Sequence, residues 1–480
     1  MKNLVFLLFA LVLSLWQANA QGFSPLIPPA KPKYTTIKQF EDDGLAHFSY
    51  AVQAEDKIIL VDPGRDPQPY YDYAKEQGAR IVGVIETHPH ADFISSHLEI
   101  RQQMGAVIYT SSLVGASYPH QAFDDGNVIK LSAKVSLKAL NTPGHSPDGI
   151  SVVVEEEGKD IAVFTGDTMF IGDVGRPDLR ENAGNIHSER RELAKMMYYS
   201  TREKLMKLAD DVVVFPAHGA GSLCGKAISD ANFSTIGHEK MTNYALQEMS
   251  EQEFVELLLQ DQPFIPQYFP YNVEVNRNGA KPLLEAIGKV KLLENNFRPS
   301  SDALLIDGRN QSAFKASHVQ GAINIMDGAK FETWLGSLVK PGQKFYLLAG
   351  NENQLKELLA KTSKIGYEEF VLGAFVYDDK NGSMMEGFDK LAFDADQGAF
   401  TVLDIRNRSE VANGKVFAEA INIPLPELAE RLHELPGDKP IVVHCGTGYR
   451  SAAGSSILKK ALKDRVVLDM GAAILDYNRR

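Results

Sequence analysis

Six histidines and aspartates in this chain stand where short apolar runs give way to loops, and that placement constrains the fold more than any other feature. Thr87-His88-Pro89-His90-Ala91-Asp92-Phe93 follows the run RIVGVIE, while His145 ends NTPGH, Asp167 ends FTGD and His218 lies in FPAHGAG. A buried imidazole or carboxylate is costly without a partner. Six of them at strand ends therefore predict a metal site at the edge of a layered α/β fold, where ligands usually gather.

The surrounding pattern agrees. AHFSYAVQAE, KIILVDPG, RIVGVIETH, VSLKALNTPGH, ISVVVEEEG, IAVFTGD and DVVVFPAHG read as strands, and PYYDYAKEQG as a helix closed by Gly78. Beyond the proline-rich and aromatic stretch QPFIPQYFPYNVEVNRNGAKP the chain repeats itself. Asp307-Gly308-Arg309 recurs as Asp404-Ile405-Arg406, and Ala322-Ile323-Asn324-Ile325 as Ala420-Ile421-Asn422-Ile423. Each copy alternates strands (ALLIDGR, KFYLLAG; AFTVLDIR, PIVVHCG) with helices, which favours parallel α/β sheets. At 480 residues several domains are expected, and the reading divides them at 34–280, 281–380 and 381–480.

The first twenty residues are set apart: Lys2, the apolar run Leu4 to Trp16, then Ala18-Asn19-Ala20. This is the pattern of a secretory signal peptide over residues 1–20, followed by an extended, proline-rich lead-in over 21–33. The run is too short for a membrane span, so the expectation is an exported protein, periplasmic or extracellular, without stable membrane insertion after cleavage. A net charge of -12 leaves no basic surplus for phosphate backbones, which argues against a nucleic-acid partner. A homo-oligomer is left open.

Only two cysteines occur, Cys224 and Cys445. They could form one bridge, but each lies in its own glycine-rich context, and the expectation is chemistry rather than cross-linking. The strand PIVVH delivers Cys445 into Gly446-Thr447-Gly448-Tyr449-Arg450, with a helix after it. Backbone N–H groups of such a loop and the start of a helix stabilise a thiolate or a persulfide. In the first copy the matching position is Ala349, which has no nucleophile.

The metal motifs, taken in order from Tyr34 to about Gly279, resemble the metallo-β-lactamase superfamily, including glyoxalase II and the persulfide dioxygenases. The Cys-x4-Arg loop, with Asp404-x-Arg406 and AINIP, resembles rhodanese. The resemblance implies an α/β multidomain fold: a metallo-β-lactamase αββα sandwich followed by two rhodanese-like α/β domains. The superfamily pattern H-x-H-x-D-H ends here at Phe93, which cannot ligate, so a dinuclear zinc centre loses a ligand and hydrolysis is disfavoured. By resemblance to persulfide dioxygenases, His88, His145 and Asp167 would hold one Fe(II) per chain as a facial triad, with His90, Asp92 and His218 auxiliary. A zinc site of His88, His90 and His145 with Asp167 stays open.

The resemblance further implies oxidation of a low-molecular-weight thiol persulfide by O2 to sulfite and thiol, with Cys445 and Arg450 transferring sulfane sulfur from thiosulfate or another donor. Gly446 and Gly448 would line that loop. Lys415-Val416 and Gly446 depart from the usual rhodanese pattern. Arg176 and Asp178 follow the metal loop, where the guanidinium could pair with a substrate carboxylate or simply with Asp178. Cys224 could shuttle sulfur beside the metal or be a buried inert thiol. The rivals are a zinc thioester hydrolase of the glyoxalase II kind and a non-catalytic sulfur carrier; Phe93 speaks against the first and the Cys445 loop against the second.

Overall fold

A computed structural model describes residues 32–181 and 189–478. The segment read as a signal peptide, and all but the last two residues of the lead-in, lie outside the described residues. Among the described residues no helix is long and apolar enough to cross a membrane.

The first part is built on two six-stranded mixed sheets. One runs in the order β1 (Thr36–Asp42), β2 (His47–Ala54), β3 (Lys57–Val61), β4 (Arg80–Ile85), β5 (Val107–Thr110), β6 (Gln121–Ala122). The other is ordered 12-11-10-9-8-7: β7 (Val128–Lys130), β8 (Val135–Asn141), β9 (Ile150–Glu156), β10 (Lys159–Gly166), β11 (Val213–Pro216), β12 (Ser234–Thr235). Side chains alternate across a strand, so each strand serves two layers. Phe48, Tyr50 and Val52 of β2, Val152 and Val154 of β9, and Ala162 and Phe164 of β10 fill the space between the sheets.

The opposite faces bury against helices. Ala51, Ile58 and Leu60 meet helices α1 (Gln68–Glu76) and α2 (His97–Met104) through Tyr70, Ala74 and Ile100. Val153, Val163 and Val214 meet α3 (Arg190–Tyr199) and α4 (Glu251–Leu259) through Ala194, Met197, Phe254 and Leu258. Burial on both faces is why KIILV and ISVVV read as unbroken apolar runs. Each fully buried large side chain there contributes about 1.5–3 kcal/mol. The result is an αββα sandwich, and the strands expected from the sequence are β2, β3, β4, β8, β9, β10 and β11.

The repeat folds twice into a four-stranded parallel sheet of the same order. β13 (Leu305–Asp307), β14 (Ile323–Asn324), β15 (Phe345–Ala349) and β16 (Val371–Val376) form the first, arranged 14-13-15-16. β17 (Thr401–Asp404), β18 (Ile421–Asn422), β19 (Ile441–His444) and β20 (Val467–Asp469) form the second, arranged 18-17-19-20. The repeated residues tie equivalent joints. Arg309 clasps Asp307 as Arg406 clasps Asp404, and the side-chain amides of Asn324 and Asn422 donate to both carbonyls of their respective turns at 2.9 Å. Four further helices matter below: α5 (Phe269–Asn278), α6 (Phe331–Leu338), α7 (Glu352–Lys364) and α8 (Tyr449–Ala461).

Candidate metal centre and sulfur-transfer loop

The loop after β4 brings His88, His90 and Asp92 to one edge of the sandwich, and the loops after β8, β10 and β11 bring His145, Asp167 and His218 to the same edge. All six are buried. Three convergent groups result, each with one ligand atom per residue within 4.8 Å of the others: His88, His90 and Asp167; His90, Asp92 and His218; His145, Asp167 and Cys224.

Hydrogen bonding sets which nitrogen each imidazole turns inward. His145 Nδ1–H donates to the Arg176 carbonyl at 2.9 Å, and a carbonyl can only accept, so Nε2 keeps its lone pair and faces Asp167 Oδ2 at 3.5 Å. The Thr87 hydroxyl gives its one proton to Asp62 at 2.8 Å, so it accepts from His88 Nδ1–H at 3.1 Å. His88 Nε2 is then left facing Asp167 Oδ2 at 3.9 Å, and neither atom has a hydrogen-bond partner. Ligand atoms around a metal at about 2.1 Å stand roughly 3–3.5 Å apart; Asp167 stands close to that distance from both histidines, but the convergent groups join His88 and Asp167 to His90, and His145 and Asp167 to Cys224, rather than His88 to His145. His90 turns Nε2 toward Asp62 Oδ1 at 3.2 Å and has a partnerless Nδ1, which leaves it able to ligate too. His218 sits between two carboxylates, with Nδ1 2.8 Å from Asp167 Oδ1 and Nε2 2.8 Å from Asp92 Oδ2.

Electrostatics prepare the same site. Burial and the neighbouring histidines hold His88 well below the ordinary histidine value, and burial lowers His145, so both are neutral, lone-pair donors. Burial alone would raise Asp167, but the charge and hydrogen bond of His218 hold it well below the usual carboxylate range. Burial, with the charges of Asp92 and Asp167, pushes the Cys224 thiol well up, so a thiolate there needs the charge of a bound cation.

In the last sheet β19 ends at His444 and Cys445 opens the loop into α8. Gly448 N–H donates to Cys445 Sγ at 3.1 Å. Gly448 has φ +97°, and an added Cβ would lie 2.5 Å from the Gly471 carbonyl carbon, so only glycine suits this turn. Arg450 is held bidentately by Glu410 at 2.6 and 2.7 Å. The Gly446 carbonyl accepts from the Asn478 amide at 2.7 Å, which pins the other side of the loop. The equivalent loop of the first copy carries buried Ala349, and there the Gln354 side chain accepts from Gly350 N–H at 2.8 Å. Cys224 and Cys445 are both free and buried, so the single bridge is not formed.

The family model described as Metallo-beta-lactamase superfamily matches residues 42–218, and the one described as Rhodanese-like domain matches residues 290–374 and 388–473. The chain is a metallo-β-lactamase domain followed by two rhodanese-like domains. Among its relatives is the human mitochondrial persulfide dioxygenase ETHE1, 26% identical over 203 residues, covering 42% of this chain and 71% of that protein. Hydroxyacylglutathione hydrolase GloC of Haemophilus influenzae is also 26% identical, over 210 residues, covering 39% of this chain and 87% of that one. The crystal structure of a metallo-beta-lactamase from Staphylococcus aureus aligns with a TM-score of 0.64 at 29% identity, over 72% of this chain and 99% of that one. That alignment reaches well past the metallo-β-lactamase domain, so the likeness includes part of the rhodanese-like region.

Within the metallo-β-lactamase domain one expected substrate contact is corrected. Arg176 is buried and all five of its N–H groups are taken: two by Asp178 at 2.7 and 2.8 Å, the rest by the carbonyls of Leu223, Pro263 and Phe264. No donor is left for a substrate carboxylate, and Asp178 is the ion-pair partner. Arg176 acts on the site through its backbone, which receives His145 and donates to the Cys224 carbonyl at 2.9 Å.

Three contributors were missed in the sequence. Asp62, in VDPG after β3, adopts φ +50° and receives Thr87 N–H and Oγ1–H while facing His90. The Asp-Pro-Gly at a strand end was the available signal. His47 starts β2 with its ring centroid 3.9 Å from that of Phe93, and no motif marks it. Glu410, which orients Arg450, belongs to a helix capping box with Asn407 and could have been found only as that box.

Proposed function

We propose that the chain is a persulfide dioxygenase joined to a sulfurtransferase, acting on small sulfur compounds. The observation that carries it is the combination in one chain of a His/Asp metal centre that has Phe93 beside Asp92 with a cysteine loop built to cradle sulfur. Phe93 stacks between His47 at 3.9 Å and His90 at 4.4 Å, placing a hydrocarbon face where a second metal would need a ligand.

His88, His145 and Asp167 would hold the ion, and Fe(II) there supplies activation of O2 beside a bound persulfide. The protein's own residues do the rest. Asp62 and Thr87 orient His88, the Arg176 carbonyl orients His145, and His218 fixes Asp167. The overall conversion balances as one thiol persulfide, one O2 and one water giving one thiol, one sulfite dianion and two protons. Asp92, buried beside His218, is placed to hold a released proton. Cys224 brings its sulfur beside the His145 and Asp167 ligand atoms, which supports a role in presenting sulfur to the centre rather than packing alone.

In the last domain the Cys445 thiolate attacks the outer sulfur of thiosulfate; the S–S bond breaks, sulfite leaves, and a cysteine persulfide remains. A thiol acceptor then takes that sulfur as its own persulfide and returns the thiolate. Gly448 N–H stabilises the anionic sulfur, and Arg450, oriented by Glu410, attracts the incoming oxyanion. The leader-like N-terminus places this chemistry, in our reading, outside the cytoplasm.

The match to a hydroxyacylglutathione hydrolase favours thioester hydrolysis as the second reading. Metal analysis of anaerobically purified protein with an oxygen electrode separates the two. Persulfide-dependent O2 uptake by an iron form is expected. Thioester hydrolysis by a zinc form, with no O2 uptake, would overturn the proposal.

A further inference from the structure

Helix α6 of the cysteine-less domain touches the Cys224 loop at one point and the Cys445 loop's Arg450 at another. Its N-cap residue, Lys330, reaches the glycine-rich loop that carries Cys224 and donates from Nζ to the Gly221 carbonyl at 2.9 Å. One turn on, on the same helix face, Trp334 lies beneath the Arg450 guanidinium at 5.8 Å from the ring centroid and stacks on Phe264 at 5.6 Å. The domains are tied together around this helix. Ile94 N–H, just past the ligand loop, donates to the Lys364 carbonyl at 2.7 Å, and buried Arg65 and Glu368 pair at 3.2 Å.

Lys330 is placed against its own helix. An ammonium at a helix N-terminus meets peptide N–H groups that already carry positive charge, and Lys330 is half-buried as well. It has three N–H bonds to give, and the Gly221 carbonyl accepts one. No carboxylate of the described residues pairs with it directly, although the charges of Asp92 and Glu332 act on it across a longer distance. Gly221 has φ +93°, and a Cβ there would stand 3.2 Å from Nζ, so the loop backbone is open to this close approach. The guanidinium nearest in sequence to the metal loop, Arg176, is fully spent on protein acceptors.

We propose that Lys330, from the domain that lacks the cysteine, anchors the oxyanion end of the ligand at the neighbouring metal centre. That end is either a carboxylate of the thiol carrier or the sulfite product; the shared chemistry is an oxyanion meeting an ammonium with two N–H bonds to spare. The cysteine-less domain thereby completes the substrate side of the metallo-β-lactamase domain. The identity of the ligand rests on the persulfide-oxidation reading; the presence of an oxyanion anchor does not.

The test uses the full metal-loaded chain as wild type, Lys330→Met and Lys330→Arg, with anaerobic calorimetric titration of three probes: 3-mercaptopropionate, neutral 2-mercaptoethanol and sulfite. Lys330→Met should weaken 3-mercaptopropionate, sulfite or both by about tenfold relative to 2-mercaptoethanol, and Lys330→Arg should recover most of the loss. Weakening confined to 3-mercaptopropionate assigns the carrier's carboxylate, and weakening confined to sulfite assigns the product. Equal weakening of all three probes, no weakening of either anion, or a wild type that binds neither anion overturns the proposal. Oxygen uptake by the wild type with the persulfide of either thiol is measured on the same samples. Its absence would sink the dioxygenase reading without touching the binding result.

Discussion

Replacing Arg176 with methionine separates a structural arginine from a substrate-binding one. The side chain, itself buried, donates two bonds to the partly buried Asp178 and three to backbone carbonyls. Methionine fills much of the volume but leaves the Asp178 carboxylate and three carbonyls without donors. Breaking a buried pair from one side costs about 3–5 kcal/mol. For a domain of this size each kcal/mol is worth about 2–4 °C, so the unfolding transition of the metallo-β-lactamase domain should fall by roughly 6–20 °C. Asp178→Leu added to Arg176→Met should return part of that loss, because the stranded charge is then gone. Differential scanning calorimetry of the full chain reads both effects. A variant with an unchanged transition but a much higher KM for a carboxylate-bearing thiol persulfide would refute the reasoning, since it would mean the guanidinium is available to substrate.

His88→Ala, His145→Ala and Asp167→Ala should each lose bound metal and O2 uptake while thiosulfate-dependent sulfur transfer persists; full metal occupancy in any of them, by elemental analysis, would show that residue is not a ligand. Cys445→Ser should abolish sulfur transfer yet spare oxidation of a persulfide supplied directly, and mass spectrometry after a brief pulse of donor should find the sulfur adduct on Cys445 in the wild type. Phe93→His should raise zinc binding toward two ions per chain, because Asp92, Asp167 and His218 already stand beside that position; stoichiometry held at one would count against Phe93 as the reason. Burial would raise the Glu410 carboxyl, but Arg450 holds it below the ordinary range, so the pair is intact above the unfolded carboxylate pKa of about 4.3 and is lost as pH falls through the lower folded value. The KM for thiosulfate should therefore show no Glu410-dependent break above about pH 4.5, and Glu410→Gln should raise it at neutral pH; a break near pH 6 that disappears in Glu410→Gln would contradict this.

The metal residues were legible because their signal is local. Each ligand stands at the end of an apolar strand, and packing on both faces of β3, β4, β9 and β10 keeps those strands unbroken in sequence as in structure. The duplicated domain was legible for a related reason: Asp-x-Arg and Ala-Ile-Asn-Ile are joints whose partners lie within about twenty residues of one another, so both copies carry the whole device. The same holds for the Cys445 loop, where the strand, the two glycines and the helix that shape it are contiguous.

What the tertiary structure alone decided depends on partners distant in the chain. Sequence spacing left Arg176 free to bind substrate or to form a loop ion pair; the choice was made by Leu223, Pro263 and Phe264, whose carbonyls reach it only after folding. The place of the Cys224 sulfur beside His145 and Asp167 is likewise set only when the loops after β8, β10 and β11 converge. Asp62 left only its Asp-Pro-Gly turn as a sign and His47 left none, because Asp62 reaches His88 through Thr87 and His47 meets Phe93 ring to ring only after folding. Most of all, the place of α6 between the Cys224 loop and the Arg450 loop is a property of domain packing, set by Lys330, Trp334 and the contacts of Ile94 and Arg65. A linear pattern encodes which atoms a strand end can present; which of them meet is decided by the burial of surfaces that are far apart in the chain.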